Sequence, residues 1–189
     1  MRNGKVLRLS VTDRCDLRCI YCMPEAGVPL VPMADLLTYE EIAAVARAAM
    51  AAGVRRFRLT GGEPLARRGV VALVGLLAGL GPDDLAMTTN GLGLAGLAAD
   101  LKAAGLTRVT VSLDTLRRDR FETITRRTGF ERIFAGIEAA RAAGLGPVKV
   151  NTVVIRGVND DEVVDFARFA GREGVEVRFI ELMPTSGLS

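Results

Sequence analysis

The sequence predicts an α/β fold built on a parallel sheet, and three observations carry that expectation. Six short β-rich runs alternate with helical stretches, with little chain between them. Repeated βα units of this kind make parallel neighbours joined by right-handed crossovers. Residues suited to chemistry follow the strands: the Cys15–Cys22 loop, Gly61-Gly62-Glu63-Pro64, Asn90-Gly91, Asp114 and Met183. That is where ligands gather in both doubly wound sheets and barrels. Finally, 189 residues with 49% hydrophobic and 25% charged side chains describe an ordinary globular chain with room for one good core. A flat doubly wound sheet and a closed or partial barrel both stay open at this point.

The first strand, Val6 to Val11, runs into the cysteine loop, after which Gly27, Pro29 and Pro32 mark an irregular segment. Thr38 with Glu41 forms a capping-box pattern. It opens a helix with Ile42, Val45, Ala46, Ala49 and Met50 on its apolar face and Gly53 as its stop. A second strand, Arg56 to Thr60, leads straight into the glycine pair, and a helix over Val70 to Leu80 stops at Gly81-Pro82. The third strand is Leu85 to Thr89. Leu94, Leu97, Ala98 and Leu101 then show helical spacing, closed by Gly105.

The fourth strand, Arg108 to Leu113, ends at Asp114. A longer helical region follows, with Phe130, Ile133, Phe134 and Ile137 as its core stripe and Gly144 as its stop. Val148 to Ile155 is the fifth strand. Asn159 with Glu162 reads as a second cap, ahead of Val163, Phe166 and Ala167. The sixth strand is Val175 to Leu182. No helix follows it, and with the tail Pro184 to Leu188 the chain reads as cut rather than finished.

Strand alternation adds a clue to function. Period-two spacing puts Arg8 with Ser10, Arg58 with Thr60, Thr110 with Ser112, and Lys149 with Asn151 on one face. The other face carries Leu7, Leu9, Val11, Phe57, Leu59, Val109, Val111, Leu113, Val148 and Val150, which suits packing under helices. A purely structural interior would be filled by branched apolar side chains. Three isolated cations at equivalent strand positions suit a polyanionic ligand such as a nucleotide phosphate chain. Strand-end charges reaching solvent are the plain alternative.

Net charge is only +3, from 25 basic and 22 acidic residues, and the basic residues are dispersed in pairs. Aromatic residues make up 5% and tryptophan is absent, so neither a basic stripe nor a stacking platform for nucleic acid is evident. The apolar run Val70 to Leu80 is shorter than the roughly 20 residues needed to span a bilayer. Residues 1–5 carry neither a signal nor a transit pattern. A cytoplasmic protein with reduced cysteines and no membrane association is expected.

Cys15, Cys19 and Cys22 are the only cysteines, and the chain has no histidine. Their spacing lets one loop close them around one centre. An odd number, with one pair two residues apart, fits a disulfide framework poorly. Three soft thiolates suit an iron–sulfur cluster or zinc, either of which normally takes four protein ligands. Here the fourth is a carboxylate, such as Asp16 or Glu25, or a position left open for something other than protein.

The pattern Cys15-x₃-Cys19-x-Tyr21-Cys22 resembles the signature of the radical S-adenosylmethionine (SAM) superfamily, and Gly61-Gly62-Glu63-Pro64 resembles its SAM-binding glycine motif. More narrowly, Leu7 to Cys15, Arg58 to Leu65, Thr88 to Gly91, Val111 to Asp114, Lys149 to Val153 and Phe179 to Met183 resemble the GTP 3′,8-cyclase family. That family opens molybdenum-cofactor biosynthesis.

The resemblance implies a partial (βα)6 TIM-like barrel of the radical SAM type, lacking the final helix and a C-terminal region. It implies that Cys15, Cys19 and Cys22 hold a 4Fe–4S cluster with one iron free to bind SAM. Tyr21, the Gly62 backbone, Ser112 and Met183 match SAM-contacting positions, and Glu63 is placed to meet the SAM amino group. Arg8, Arg58, Thr88 and Lys149 match GTP contacts. The implied reaction splits SAM reductively, and the resulting 5′-deoxyadenosyl radical takes the 3′ hydrogen of GTP to give 3′,8-cyclo-GTP.

An electron donor and a downstream cyclic pyranopterin monophosphate synthase would be partners, and a homodimer fits the same resemblance. The family's second 4Fe–4S cluster needs three further cysteines that are absent from this chain. These 189 residues are therefore expected to cleave SAM without cyclising GTP. A peptide-modifying radical SAM enzyme and a non-catalytic zinc-binding domain are the competing readings.

Overall fold

The computed structural model describes residues 5–183, so the tail from Pro184 to Leu188 lies outside the described residues. Among the described residues six strands form: β1 (Val6–Ser10), β2 (Arg56–Thr60), β3 (Asp84–Thr89), β4 (Arg108–Ser112), β5 (Lys149–Val154) and β6 (Glu176–Glu181). They make one sheet in chain order, and every neighbouring pair is parallel. Crossovers of one hand in this order put all the helices on one side, whereas a doubly wound sheet needs the order to reverse. The sheet is thus an open partial barrel, with β1 and β6 at its edges.

Among the described residues six α-helices cover the outer face: α1 (Tyr39–Ala51), α2 (Val70–Ala78), α3 (Ala98–Ala103), α4 (Arg118–Thr125), α5 (Phe130–Ala142) and α6 (Val163–Glu173). Their buried residues, among them Ile42, Leu73, Leu101, Ile133 and Phe166, meet the strand face carrying Leu9, Phe57, Leu59, Val109, Val111 and Val150. This is the face that alternation marked as apolar. Among the described residues no helix is long and apolar enough to cross a membrane.

The capping box of α1 is formed in both directions. The Glu41 N–H donates to Thr38 Oγ1 at 3.2 Å, and the Thr38 N–H donates to Glu41 Oε2 at 2.7 Å. Its buried stripe is centred on Ile42, Ala43 and Ala46, which leaves Val45 48% exposed rather than on the core face. The spacing from Leu94 to Leu101 resolves into a 3₁₀ turn, Leu94–Gly96, followed by the short α3. The longer helical region before β5 is two helices, because Arg126 (φ 54°) and Gly129 (φ 117°) break it.

Asn159 and Glu162 do not form a second cap. The Asn159 side chain accepts from the Ile155 N–H and donates to the Asp114 and Val153 carbonyls. Glu162 is buried, and its carboxylate accepts from Thr115 Oγ1 and the Leu116 N–H. Arg120 closes on it as well. Both side chains brace the loop after β4, which competes with capping for the same polar atoms.

Candidate functional site

The strand ends deliver the cysteine loop, the glycine pair, Asn90 and Asp114 to one mouth of the barrel. An open pocket there is lined by Cys15, Cys19, Cys22, Tyr21, Gly62, Glu63, Thr88 and Ser112, eight of the residues singled out from the sequence. Arg8, Arg58 and Lys149 lie outside its lining, on the concave strand face, and Met183 is 74% exposed away from it.

The glycine pair holds the cysteine loop from beneath. The Gly62 N–H donates to the Thr12 carbonyl and the Glu63 N–H to the Arg14 carbonyl, each at 2.7 Å. A Cβ on Gly62 would sit 2.3 Å from the Arg14 carbonyl oxygen, and one on Gly61 would sit 2.5 Å from that of Thr12. Only glycines let these two backbones approach so closely. On its other side the loop docks on the end of α4. The Arg18 and Ile20 N–H groups donate to the Thr125 and Ile124 carbonyls, both at 2.9 Å.

Glu63 is buried and already accepts three hydrogen bonds, from Leu65 N–H (2.9 Å), Thr89 Oγ1 (2.7 Å) and Asn90 N–H (2.6 Å). Burial pushes its pKa up to about 6. Asn90 Nδ2 in turn donates to Asp16 Oδ1 at 2.5 Å, so Asp16 and Glu63 are joined through one asparagine.

Asp114, flagged in the sequence only as the end of a strand, has a larger role. Its carboxylate accepts from the Tyr21 hydroxyl at 2.6 Å and from the Val153 N–H at 2.8 Å. Burial raises the pKa of Asp114 and that of Tyr21. Cys15 and Cys19 are half-buried and Cys22 is exposed, and all three are free thiols. Burial, followed by the Asp114 charge, pushes the Cys19 thiol up to about 12, and burial also raises Cys15. Metal loading must therefore displace protons, and higher pH favours it.

A single ion fits these residues poorly. Among the described residues no three cysteine, aspartate or glutamate side chains are grouped to hold one metal ion. Of the two named candidates for the one carboxylate that zinc would need, Asp16 is engaged by Asn90 and Glu25 is exposed. A cluster is larger and lets three thiolates around one pocket stand further apart, so the donor set fits a 4Fe–4S centre with an open iron.

Beneath the pocket, Arg8 stands beside Arg58 and Thr110 beside Lys149 in register. Burial lowers the Arg58 pKa, as do the nearby charges of Arg108, Arg8 and Arg178. Register sets Arg8, Arg58 and Arg108 in one row through Ala86, and Arg178 lies further along β6 on the same concave face. The sequence reading missed Arg108 and Arg178 on this face, although the same period-two count along β4 and β6 would have found them. It also described the cations as isolated, and this needs correction. Lys149 is paired with Glu176 at 2.6 Å, Glu176 also holds Arg178 at 2.7 Å, and Arg108 is paired with Asp84 at 2.5 Å. Asn151 stands level with Ser112, and its Oδ1 is buried without a hydrogen-bond partner. It is an acceptor suited to a ligand hydroxyl.

The sequence profile of the radical SAM superfamily matches residues 9–170. This chain belongs to the radical SAM superfamily. Membership implies a 4Fe–4S cluster and SAM. The chain is 56% identical over 184 residues to a GTP 3′,8-cyclase of Moorella thermoacetica, spanning 97% of this chain and 57% of that protein. It is 52% identical over 187 residues to molybdenum cofactor biosynthesis protein 1 of Drosophila melanogaster, covering 98% of this chain and 33% of that one. Among solved structures, Streptococcus suis SuiB bound to S-adenosylmethionine superposes with a TM-score of 0.79 at 17% identity, over 97% of this chain and 42% of SuiB. Methylornithine synthase gives 0.76 at 18% identity, over 96% and 54%. At these identities the likeness shows a shared fold.

Proposed function

We propose that this chain is the radical SAM core, residues 1–189, of a GTP 3′,8-cyclase. The observation that carries the substrate is the row of Arg8, Arg58 and Arg108 on the concave face with Arg178 further along it, where Asp84 and Glu176 offset only part of the charge. Like charges held together repel unless an anion joins them, and a triphosphate supplies one. Relatives at 52–56% identity carry the matching names.

In this reading Cys15, Cys19 and Cys22 hold the 4Fe–4S cluster. Tyr21, Gly62, Glu63, Ser112 and Met183 contact SAM, and Arg8, Arg58, Thr88 and Lys149 contact GTP. Bound there, the cluster with SAM supplies one-electron reductive cleavage and hydrogen abstraction. The chain's own residues do the positioning. Gly61 and Gly62 bring the cysteine loop against β2, and Asp114 steadies Tyr21 between the last two thiolates. Asn151 accepts a ligand hydroxyl beside Ser112, and the guanidiniums of Arg8, Arg58 and Arg108 fix the phosphate end below the pocket. Orientation of this kind lowers the barrier without new chemistry from the protein. An electron donor, a cyclic pyranopterin monophosphate synthase acting on the product and a cytoplasmic setting complete the proposal.

The test is anaerobic reconstitution followed by dithionite, SAM and GTP, with 5′-deoxyadenosine and cyclo-GTP followed by mass spectrometry and nucleotide affinity by titration. Iron with sulfide, SAM cleavage and tighter binding of GTP than of guanosine support the reading. SAM cleavage that persists in Cys15→Ala, Cys19→Ala or Cys22→Ala would overturn the cluster assignment. Equal affinity for GTP and guanosine would overturn the phosphate assignment.

A further inference from the structure

Among the described residues, every positive φ belongs to a glycine except one: Arg126, at φ 54°. It closes α4, its N–H donating to the Glu122 carbonyl at 2.9 Å. A glycine would make the same left-handed closure without a Cβ against the backbone. The helix end therefore gains nothing from an arginine here. What the residue adds is its side chain.

That side chain reaches the cysteine loop. Arg126 Nη1 donates to the Arg18 carbonyl at 3.4 Å and to the Met23 carbonyl at 3.3 Å. Those two residues immediately flank the segment from Cys19 to Cys22. The segment is itself a turn, with the Cys22 and Met23 N–H groups donating to the Cys19 carbonyl at 2.9 and 3.2 Å. The two residues before Arg126 hold the same segment through their carbonyls, Thr125 to the Arg18 N–H and Ile124 to the Ile20 N–H. A second guanidinium, that of Arg18, takes the Cys15 and Leu17 carbonyls at 2.7 and 2.8 Å. The left-handed turn at Arg126 thus aims a cation at both ends of the segment that the last turn of α4 already grips. A residue held in a strained conformation by its surroundings points to a role for it.

We propose that Arg126 is a positioning residue: its left-handed turn lets one guanidinium clasp both ends of the Cys19–Cys22 turn and fix the spacing of those two thiols. The inference rests on the reading of the three cysteines as a cluster site, and its test has an arm that does not.

In the metal-free protein, Arg126→Gly keeps the backbone turn and loses only the clasp. Its melting temperature should match or exceed the parent's, because strain is relieved. Hydrogen exchange at the Arg18 and Ile20 amides should rise about tenfold, since local opening of the loop becomes easier. In the reconstituted protein, iron should be lost to a chelator about tenfold faster than from the parent. Arg126→Lys keeps the charge and one contact at the cost of the same strain, and should fall between the two. Unchanged exchange and iron retention in Arg126→Gly would overturn the proposal. So would a fall in melting temperature shared equally by both variants, which would mark an ordinary helix cap. A parent protein that takes up no iron and sulfide would sink the cluster reading while the exchange arm still reports on the clasp.

Discussion

The Tyr21 hydroxyl donates to Asp114 Oδ2 at 2.6 Å, joining the cysteine loop to the end of β4 across 93 positions of sequence. Asp114 is buried and Tyr21 half-buried, and Asp114 uses its other oxygen on the Val153 N–H. One carboxylate just past β4 therefore holds both the cysteine loop and strand β5. A hydrogen bond to a charged, buried acceptor is worth about 1.5–3 kcal/mol. Tyr21→Phe should lower the unfolding free energy of the metal-free protein by about that amount in a urea titration. Asp114→Asn should cost less than Asp114→Ala, because an amide can still accept from Val153 and donate to the Tyr21 oxygen. A Tyr21→Phe protein as stable as the parent would show that the bond contributes nothing net.

Gly62→Ala should be far more damaging than its size suggests. The new methyl would meet backbone, at 2.3 Å from the Arg14 carbonyl oxygen, and backbone cannot swing aside as a side chain can. Overpacking of this kind costs about 1–3 kcal/mol in ordinary cores, and here it also pries apart the bonds from Gly62 and Glu63 to the cysteine loop. The expected result is a loss of at least about 2 kcal/mol in unfolding free energy together with poor iron uptake. Normal iron content in a stable Gly62→Ala protein would mean that the loops can separate at no cost.

The residues that follow a short-range rule were legible in the sequence. The six strands follow from alternation and the α1 cap from one four-residue pattern. The polar concave face follows from period two, as Arg8 beside Arg58 shows. What was not legible depends on pairing between distant segments. Asn159 and Glu162 carry a cap pattern but spend their polar atoms on Asp114, Val153, Thr115 and Leu116, because the packed loop after β4 supplies better partners than the local helix end. Lys149 reads as an isolated cation until β6 brings Glu176 beside it. The reach of Arg126 to the cysteine loop spans about a hundred residues and leaves no local pattern at all.

The stability of the metal-free protein should fall as pH rises through the weakly acidic range, and Glu63 should be a main cause. Its pKa rises from the ordinary 4.5 to about 6 on burial, so between those values the folded state holds the proton that the unfolded chain releases. Its contribution is fully favourable below pH 4.5 and is lost through pH 6, leaving a cost of about 2 kcal/mol at neutral pH. Asp114, raised by the same cause, adds in the same direction. Thermal melts between pH 4.5 and 7 should show this slope in the parent and a reduced slope in Glu63→Gln. An identical slope in both would place the titration elsewhere.

Arg58→Ala should separate ligand binding from folding. Arg58 is half-buried among Arg8, Arg108 and Arg178, and its pKa is lowered by burial and by those like charges. With no anion present, removing it relieves repulsion at the price of some packing from its aliphatic stem, so the melting temperature should hardly move. With a triphosphate present, the variant loses a charge-assisted contact worth about 1.5–3 kcal/mol, or roughly a tenfold or greater loss of affinity. Lys149→Ala should lose less, because Glu176 already neutralises much of that charge at 2.6 Å. Raising the salt concentration should narrow the gap between parent and Arg58→Ala, since screening weakens a phosphate contact on an open concave face. Titration calorimetry with GTP at two ionic strengths checks all three expectations. Equal affinity in parent and both variants would mean that the cations of the concave face are a structural feature of the barrel and that the triphosphate lies elsewhere.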